Sequence, residues 1–235
     1  MTSVKPLISL FVNLSLVASL VHPQAKDLSA LNEALRKMEE TGKSFHSFTA
    51  QFSMKSYVAV LNEFDTPETG ELDYALAPDG SALMRQEFRK PSVRVLTIKG
   101  GVATFFQPSV NQAQIYNLGK NKNKAEYLVL GIGQSPAKLQ ETYSIQYQGA
   151  EAVNGASCWV LLLKPKSSSA LASLFSAITL WVRQSSGVPI QDKLQDAAGG
   201  DYTLITFSNE QLNTPIPSSK FEQKLPPGVE KQVIQ

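Results

Sequence analysis

One cysteine and two histidines in 235 residues remove whole classes of chemistry. A single thiol makes no internal disulfide, so stability has to come from the core. That cysteine opens the run Cys158-Trp159-Val160-Leu161-Leu162-Leu163, a buried-strand pattern in which the thiol packs as a small apolar group. Metal centres need clustered His, Cys or carboxylates, and the sequence has no paired-Cys spacing and no His pair. A serine hydrolase would present Gly-x-Ser-x-Gly, and Gly155-Ala156-Ser157-Cys158-Trp159 fails at its last position. Gly131-Ile132-Gly133 lacks the third glycine of a dinucleotide fingerprint and follows no parallel-strand signal, so it reads as a helix-ending turn. Carboxylate pairs such as Glu39-Glu40 suit a solvated helix surface. An enzyme is the weakest reading, to be revived only by carboxylates that the fold alone brings together, and no metal or cofactor is implied.

Long apolar runs are lacking too, save at the start. Lys5 precedes Leu7 to Val21, interrupted only by Ser and Asn, and then His22-Pro23-Gln24-Ala25. This order is a secretory signal peptide, with cleavage expected after Ala25. Its apolar core of about 15 residues is shorter than the roughly 20 a spanning helix needs. No cysteine follows it, so the chain is not read as a lipid-modified protein. Removing residues 1–25 takes only Lys5, which leaves 21 basic against 20 acidic residues and a net charge of +1. That balance gives no electrostatic case for nucleic acid or for strong attraction to anionic lipid. Residues 26–235 are long enough for a full core and read as a single all-β or α+β domain.

What is present is mostly strand pattern. One amphipathic helix comes first, with Leu28, Leu31, Leu35 and Met38 at helical spacing, Asp27 to cap it and Gly42 to end it. From Phe48 the even positions read Phe48, Ala50, Phe52, Met54, Ser56, Val58 and Val60, and the odd ones are mostly polar. About ten strands follow at turn-punctuated intervals, as in antiparallel meanders. No turn before residue 120 has room for a crossover helix. Two inserts, 121–133 with Tyr127, Leu128 and Leu130 and 167–177 with Leu171, Leu174 and Phe175, are short helices or loops. The Pro-rich tail offers Phe221 and Leu225 as anchors.

The stretch from Leu96 to Leu118 is apolar on both faces. With Gly100-Gly101 as a two-residue hairpin turn, Lys99 faces Val102 and Ile98 faces Ala103. One face then holds Val93, Val95, Thr97, Val102, Thr104, Phe106, Ala113 and Ile115. The other mixes Leu96, Ile98, Phe105 and Tyr116 with Arg94, Gln107, Gln112 and Gln114. Two or three short helices cannot cover about ten strands. Either the sheet curls and packs on itself, or part of its inner face lines a cavity closed by the helices.

From about residue 28 onward the chain resembles the LolA-like periplasmic carriers of outer-membrane lipoproteins. The matching pieces run in the family's order: Ser44-Phe45-His46-Ser47-Phe48-Thr49-Ala50-Gln51-Phe52, Gly70-Glu71-Leu72, Phe88-Arg89-Lys90-Pro91, Gly100-Gly101, Phe105-Phe106-Gln107-Pro108 and Asn111-Gln112-Ala113. Leu163-Lys164-Pro165-Lys166 and Phe221-Glu222-Gln223-Lys224-Leu225-Pro226-Pro227-Gly228-Val229 complete them. The resemblance implies a curved, half-open antiparallel β-barrel with helices as a lid over an apolar cavity. It further implies a monomeric periplasmic shuttle that takes lipoproteins by their acyl chains from an inner-membrane lipoprotein-releasing transporter to an outer-membrane acceptor. It places the Val95, Phe106 and Ile115 face toward lipid or lid. One position departs: members carry Lys-Arg-Pro after the Gly-x-Leu strand, and that Arg latches the lid through backbone carbonyls. Here Ala77 stands in its place, before Pro78, and Arg85, Arg89 and Arg94 are the candidates to replace it.

Roughly forty CH₂ groups at about 0.8 kcal/mol each would contribute about 30 kcal/mol, beyond the roughly 20 kcal/mol at which noncovalent affinity saturates. A releasing carrier therefore covers its cargo incompletely and spends binding free energy on moving the lid. The candidate acyl-binding residues are Leu31, Leu35 and Met38 on the first helix, Leu128, Leu130 and Phe175 on the inserts, and Phe52, Met54, Leu72, Tyr74, Met84, Phe88 and Phe106 on the sheet, each with ordinary core packing as its rival role. A glycolipid or free-lipid binding module is the alternative function, and a sensor domain with a filled core stands behind it.

Overall fold

The computed structural model describes residues 23–119 and 129–234. Helix α1 (Pro23–Lys43) leads into β1 (Ser47–Val58), β2 (Glu63–Phe64), β3 (Glu68–Leu76), β4 (Ala82–Lys90), β5 (Arg94–Lys99), β6 (Val102–Gln107) and β7 (Gln112–Asn117). After a described turn at 129–134 come α2 (Pro136–Thr142), β8 (Tyr143–Val153), β9 (Ala156–Pro165), β10 (Phe175–Arg183), β11 (Pro189–Asp196), β12 (Tyr202–Leu212) and β13 (Glu230–Ile234). The molecule is mainly β: one thirteen-stranded sheet in the order β13-β7-β6-β5-β4-β3-β1-β12-β11-β10-β9-β8, with β2 on β1. The sheet is open, because β13 and β8 end it without pairing to each other. Every described pair is antiparallel except β13 with β7, which the sequence pattern missed.

Hairpin chemistry sets the register where the sequence put it. Gly100 and Gly101 both have positive φ, 60° and 75°, as a two-residue turn matched to strand twist requires. Lys99 then opposes Val102 and Ile98 opposes Ala103. The turn at Pro108–Asn111 brings Ala113 opposite Phe106 and Ile115 opposite Thr104. Elsewhere the structure departs from the pattern. Helix α1 starts at Pro23, not at Asp27; proline's fixed φ and missing N–H suit a first turn. Strand β1 stops at Val58, so Val60 lies beyond the sheet and is 90 % exposed. The second insert is one 3-10 turn, Ala170–Ser173, and Phe175 already belongs to a strand. The second helix comes at Pro136–Thr142, capped by the Ser135 hydroxyl, which accepts from the Lys138 N–H at 3.3 Å. Residues 121–128 of the first insert, Leu128 included, lie outside the described residues.

Residues directly opposite one another in a ladder share a face, so the register divides the core. Phe48, Tyr74, Met84, Ile98, Ala103 and Tyr116 form one transverse row. These residues belong to, or pack against, one continuous apolar cluster that also takes in Ala34 and Met38 of α1 and Val129, Leu130 and Ile132 of the turn. This is the inner face, and α1 lies on it against β8 and β9. Only the later part of the helical stripe reaches the sheet: Ala34 and Met38 are buried, Leu31 and Leu35 half-buried, and Leu28 exposed.

Candidate functional site

The apolar interior lies between the inner sheet face and its cover of α1, the 129–134 turn and α2. Two aromatic contacts stiffen the β1 side of it: Phe52 meets Phe88 edge-on at 5.2 Å, and Phe48 meets Phe207 at 5.8 Å. At the cover, Gly131 has φ 76°, and a Cβ there would stand 2.9 Å from Pro189 Cγ, 3.2 Å from Leu180 Cδ1 and 3.4 Å from Met38 Cε. Glycine thus permits both the turn conformation and the close seating of cover on sheet.

Of the residues named from the sequence, Met38, Phe52, Leu72, Tyr74, Met84, Phe88 and Leu130 are buried in this cluster, and Leu31, Leu35, Met54 and Phe175 pack at its margin. Phe106 does not join them. Its ladder partners Val95 and Ala113 put it on the outer face, so the expectation that Val95, Phe106 and Ile115 face lipid or lid is corrected. The half-wet face of Leu96, Ile98, Phe105 and Tyr116 is the inner one. The apolar face is also covered, but by the C-terminal segment. A 3-10 turn at Ser218–Phe221 lies against β4 and β5 with Phe221 buried. Lys220 pairs with buried Asp73 at 2.8 Å, and Lys99 pairs with Glu222 at 2.9 Å. Both faces of β5 are apolar because each has its own cover.

A hollow of about 270 Å³ opens at the cover, lined by Leu130, Leu139, Tyr143 and Leu171 with the polar Gln134 and Lys138. That is just below the roughly 300–1,000 Å³ of ordinary small-molecule sites, too little for several acyl chains unless the cover moves. Of the three candidate latch arginines, Arg94 alone faces inward, by its register with Phe88. Its guanidinium lies 4.4 Å over the Phe88 ring and is hydrogen-bonded to Glu68. Arg85 pairs with Glu87 on the outer face, and exposed Arg89 pairs with Glu71.

Sequence reasoning overlooked Asp192. It opposes Ile205 on one side and Leu180 on the other, on the inner face, and is 1 % exposed. Its Oδ1 has no hydrogen-bond partner, and burial pushes its carboxyl well above the ordinary range. The available signal was its spacing of two from Leu194, which puts a carboxylate on the apolar parity of a strand. Burial likewise pushes up the thiol of Cys158, fully buried in β9 as its sequence context indicated.

No family model matches the chain. It is 26 % identical over 217 residues, 92 % of this chain and 93 % of the relative, to an outer-membrane lipoprotein carrier protein of Pseudomonas fluorescens (strain Pf0-1). Among solved structures it is similar to an uncharacterized conserved protein from Thermus thermophilus, with a TM-score of 0.55 at 13 % identity, covering 87 % of this chain and 99 % of that one. It is also similar to MucB, with a TM-score of 0.52 at 15 % identity, covering 85 % of this chain but only 63 % of MucB. The two structural likenesses are likenesses of fold.

Proposed function

We propose that this chain, which resembles the LolA-like lipoprotein carriers over nearly its whole length, is a periplasmic carrier that binds the acyl chains of lipoproteins. The observation that supports this best is one continuous apolar interior shared by the inner sheet face and a separate cover, joined to likeness across 92 % of the chain to a lipoprotein carrier protein. On this reading residues 1–25 are removed after export, residues 26–235 form the single mature domain, and the monomer is loaded by an inner-membrane lipoprotein-releasing transporter and emptied by an outer-membrane acceptor. Acyl chains enter as α1 and the 129–134 turn lift from the sheet. They displace Met38, Leu130 and their neighbours from the apolar cluster these share with Leu180, Phe52 and Tyr74. Such a carrier exchanges one set of apolar contacts for another, which keeps net affinity low enough for release.

A binding module for glycolipid or free lipid is the second reading. It is favoured by Ala77 at the latch position and by Arg94 being held by Glu68 rather than by the cover. Native mass spectrometry of the mature chain purified from a periplasm, followed by identification of extracted material, tests both. Co-purified acylated peptide supports the lipoprotein carrier; free lipid or glycolipid alone supports the second reading. A chain that stays empty and also fails to take up a fluorescent acyl probe overturns both.

A further inference from the structure

We infer that the β1–β2 end of the sheet is a lipid-contacting tip that dips into the headgroup layer of a zwitterionic bilayer. The β1–β2 turn closes through the Leu61 N–H donating to Val58 O and the Asn62 N–H donating to Ala59 O, both at 3.1 Å. At its apex Val60 is 90 % and Leu61 61 % exposed. Beside it lies the β11–β12 turn, where a Cβ on Gly200 would come within 3.1 Å of Ala59 Cβ. Ala197 and Ala198 of that turn are exposed, and the Ala197 N–H donates to the Leu174 carbonyl at 3.0 Å. Leu174 is itself 44 % exposed. One end of the sheet therefore carries several exposed aliphatic side chains on adjoining turns.

Behind these turns, on the outer face, stands a collar of rings. Tyr57 stacks on Tyr202 at 4.9 Å, and Phe64 meets the two edge-on at 5.3 and 5.8 Å. Lys55 Nζ lies 4.2 Å over the Phe64 ring and Lys193 Nζ 3.9 Å over the Tyr202 ring. Aliphatic apex, aromatic band and amphipathic lysines, in that order, match the layers of a membrane interface. No helix among the described residues is long and apolar enough to cross a membrane, so the contact is a touch rather than a span. The apex is convex, and a fluid bilayer reshapes around a convex tip where a protein partner would have to supply a fitted groove. Glu63, Asp65, Asp196 and Asp201 lie at the same turns, outnumbering the two lysines. Both signs find partners in a zwitterionic headgroup layer, and anionic lipid adds no attraction.

The inference is independent of acyl binding in the interior. Its test is co-flotation of the empty, full mature chain with phosphatidylcholine vesicles at low and high salt. A Val60→Trp version serves as a reporter of insertion. Weak, salt-insensitive binding is expected, with a blue shift of the reporter's added emission and quenching by lipids brominated near the headgroup. Leu61→Asp should weaken binding by about tenfold, as loss of one inserted aliphatic side chain implies. Both positions are exposed, and an unchanged melting curve verifies the fold. The inference is overturned if millimolar lipid leaves the chain unbound, if Leu61→Asp binds as well as wild type, or if binding requires anionic lipid and vanishes in salt. Acyl-probe uptake by Leu61→Asp is measured alongside, so that loss of membrane contact and loss of cargo binding are read separately.

Discussion

Asp192 sits where a leucine would be expected, with Ile205 and Leu180 as its ladder neighbours and a buried oxygen left without a partner. The row it shares continues to Met54 and Glu68 in one direction and to Leu161 and Tyr147 in the other, so no cation stands in that row. Burial in such a place disfavours the ionised carboxyl. Its folded pKa lies above its unfolded value. The stability it permits is therefore complete below the unfolded pKa of about 3.9 and declines by about 1.4 kcal/mol per pH unit until the folded value is passed. Asp192→Asn removes this dependence, so its stability advantage over wild type should widen as pH rises from about 4. Urea midpoints of the two proteins at matched pH values check this, and parallel curves would show that Asp192 is hydrated in the folded protein. Gly131 is the second residue with a singular environment. Gly131→Ala puts a methyl against Pro189 and Leu180 at φ 76° and should cost about 1–3 kcal/mol, read from the same urea curves.

At the scale of elements, the C-terminal segment is what the pattern undervalued. Its 3-10 turn buries Phe221 against the outer sheet face, and β13 then adds itself in parallel to β7. All five residues of β13 are exposed, so no side-chain pattern announces it; backbone pairing alone makes it a strand. Phe221 was legible as an anchor, but the face it anchors to was not. Phe221→Ala should cost about 3–5 kcal/mol and leave Val95, Phe106 and Ala113 accessible. The expected signature is a lower unfolding midpoint with increased binding of a hydrophobic dye before unfolding. A variant as stable as wild type would mean that those residues are buried by something other than this turn.

For the whole molecule, the proposed carriage requires that cover and sheet part. At the β10–β11 turn the Thr41 hydroxyl donates to the Ser186 carbonyl, which ties the C-terminal end of α1 to the sheet. A cysteine pair at these positions, Thr41→Cys with Ser186→Cys, fixes that junction, while native Cys158 is fully buried and leaves the cross-link unambiguous. Under oxidising conditions the double variant should lose acyl-probe uptake, and reduction should restore it. Uptake that is equal in both states would mean that cargo enters without movement of this end of α1.

The sequence by itself determined the first helix, much of the strand pattern and the register around the Gly-Gly hairpin. The Gly-Gly turn, the alternation from Phe48 to Met54 and the spacing of Leu31, Leu35 and Met38 are local consequences of backbone sterics and side-chain period, and each stands in the structure. It also carried the resemblance to a carrier family, because ordered turns and apolar runs along the chain are themselves local records. What only the tertiary structure decided is what covers each face. Val95 and Leu96 are adjacent and equally apolar, yet one is covered by the C-terminal segment and the other by the helical side of the core. Period-two alternation distinguishes two faces without saying which is concave. For the same reason Val60 continued the buried parity of β1 on paper and became the most exposed aliphatic residue of the tip: the strand ended two residues earlier, where pairing with β2 ended.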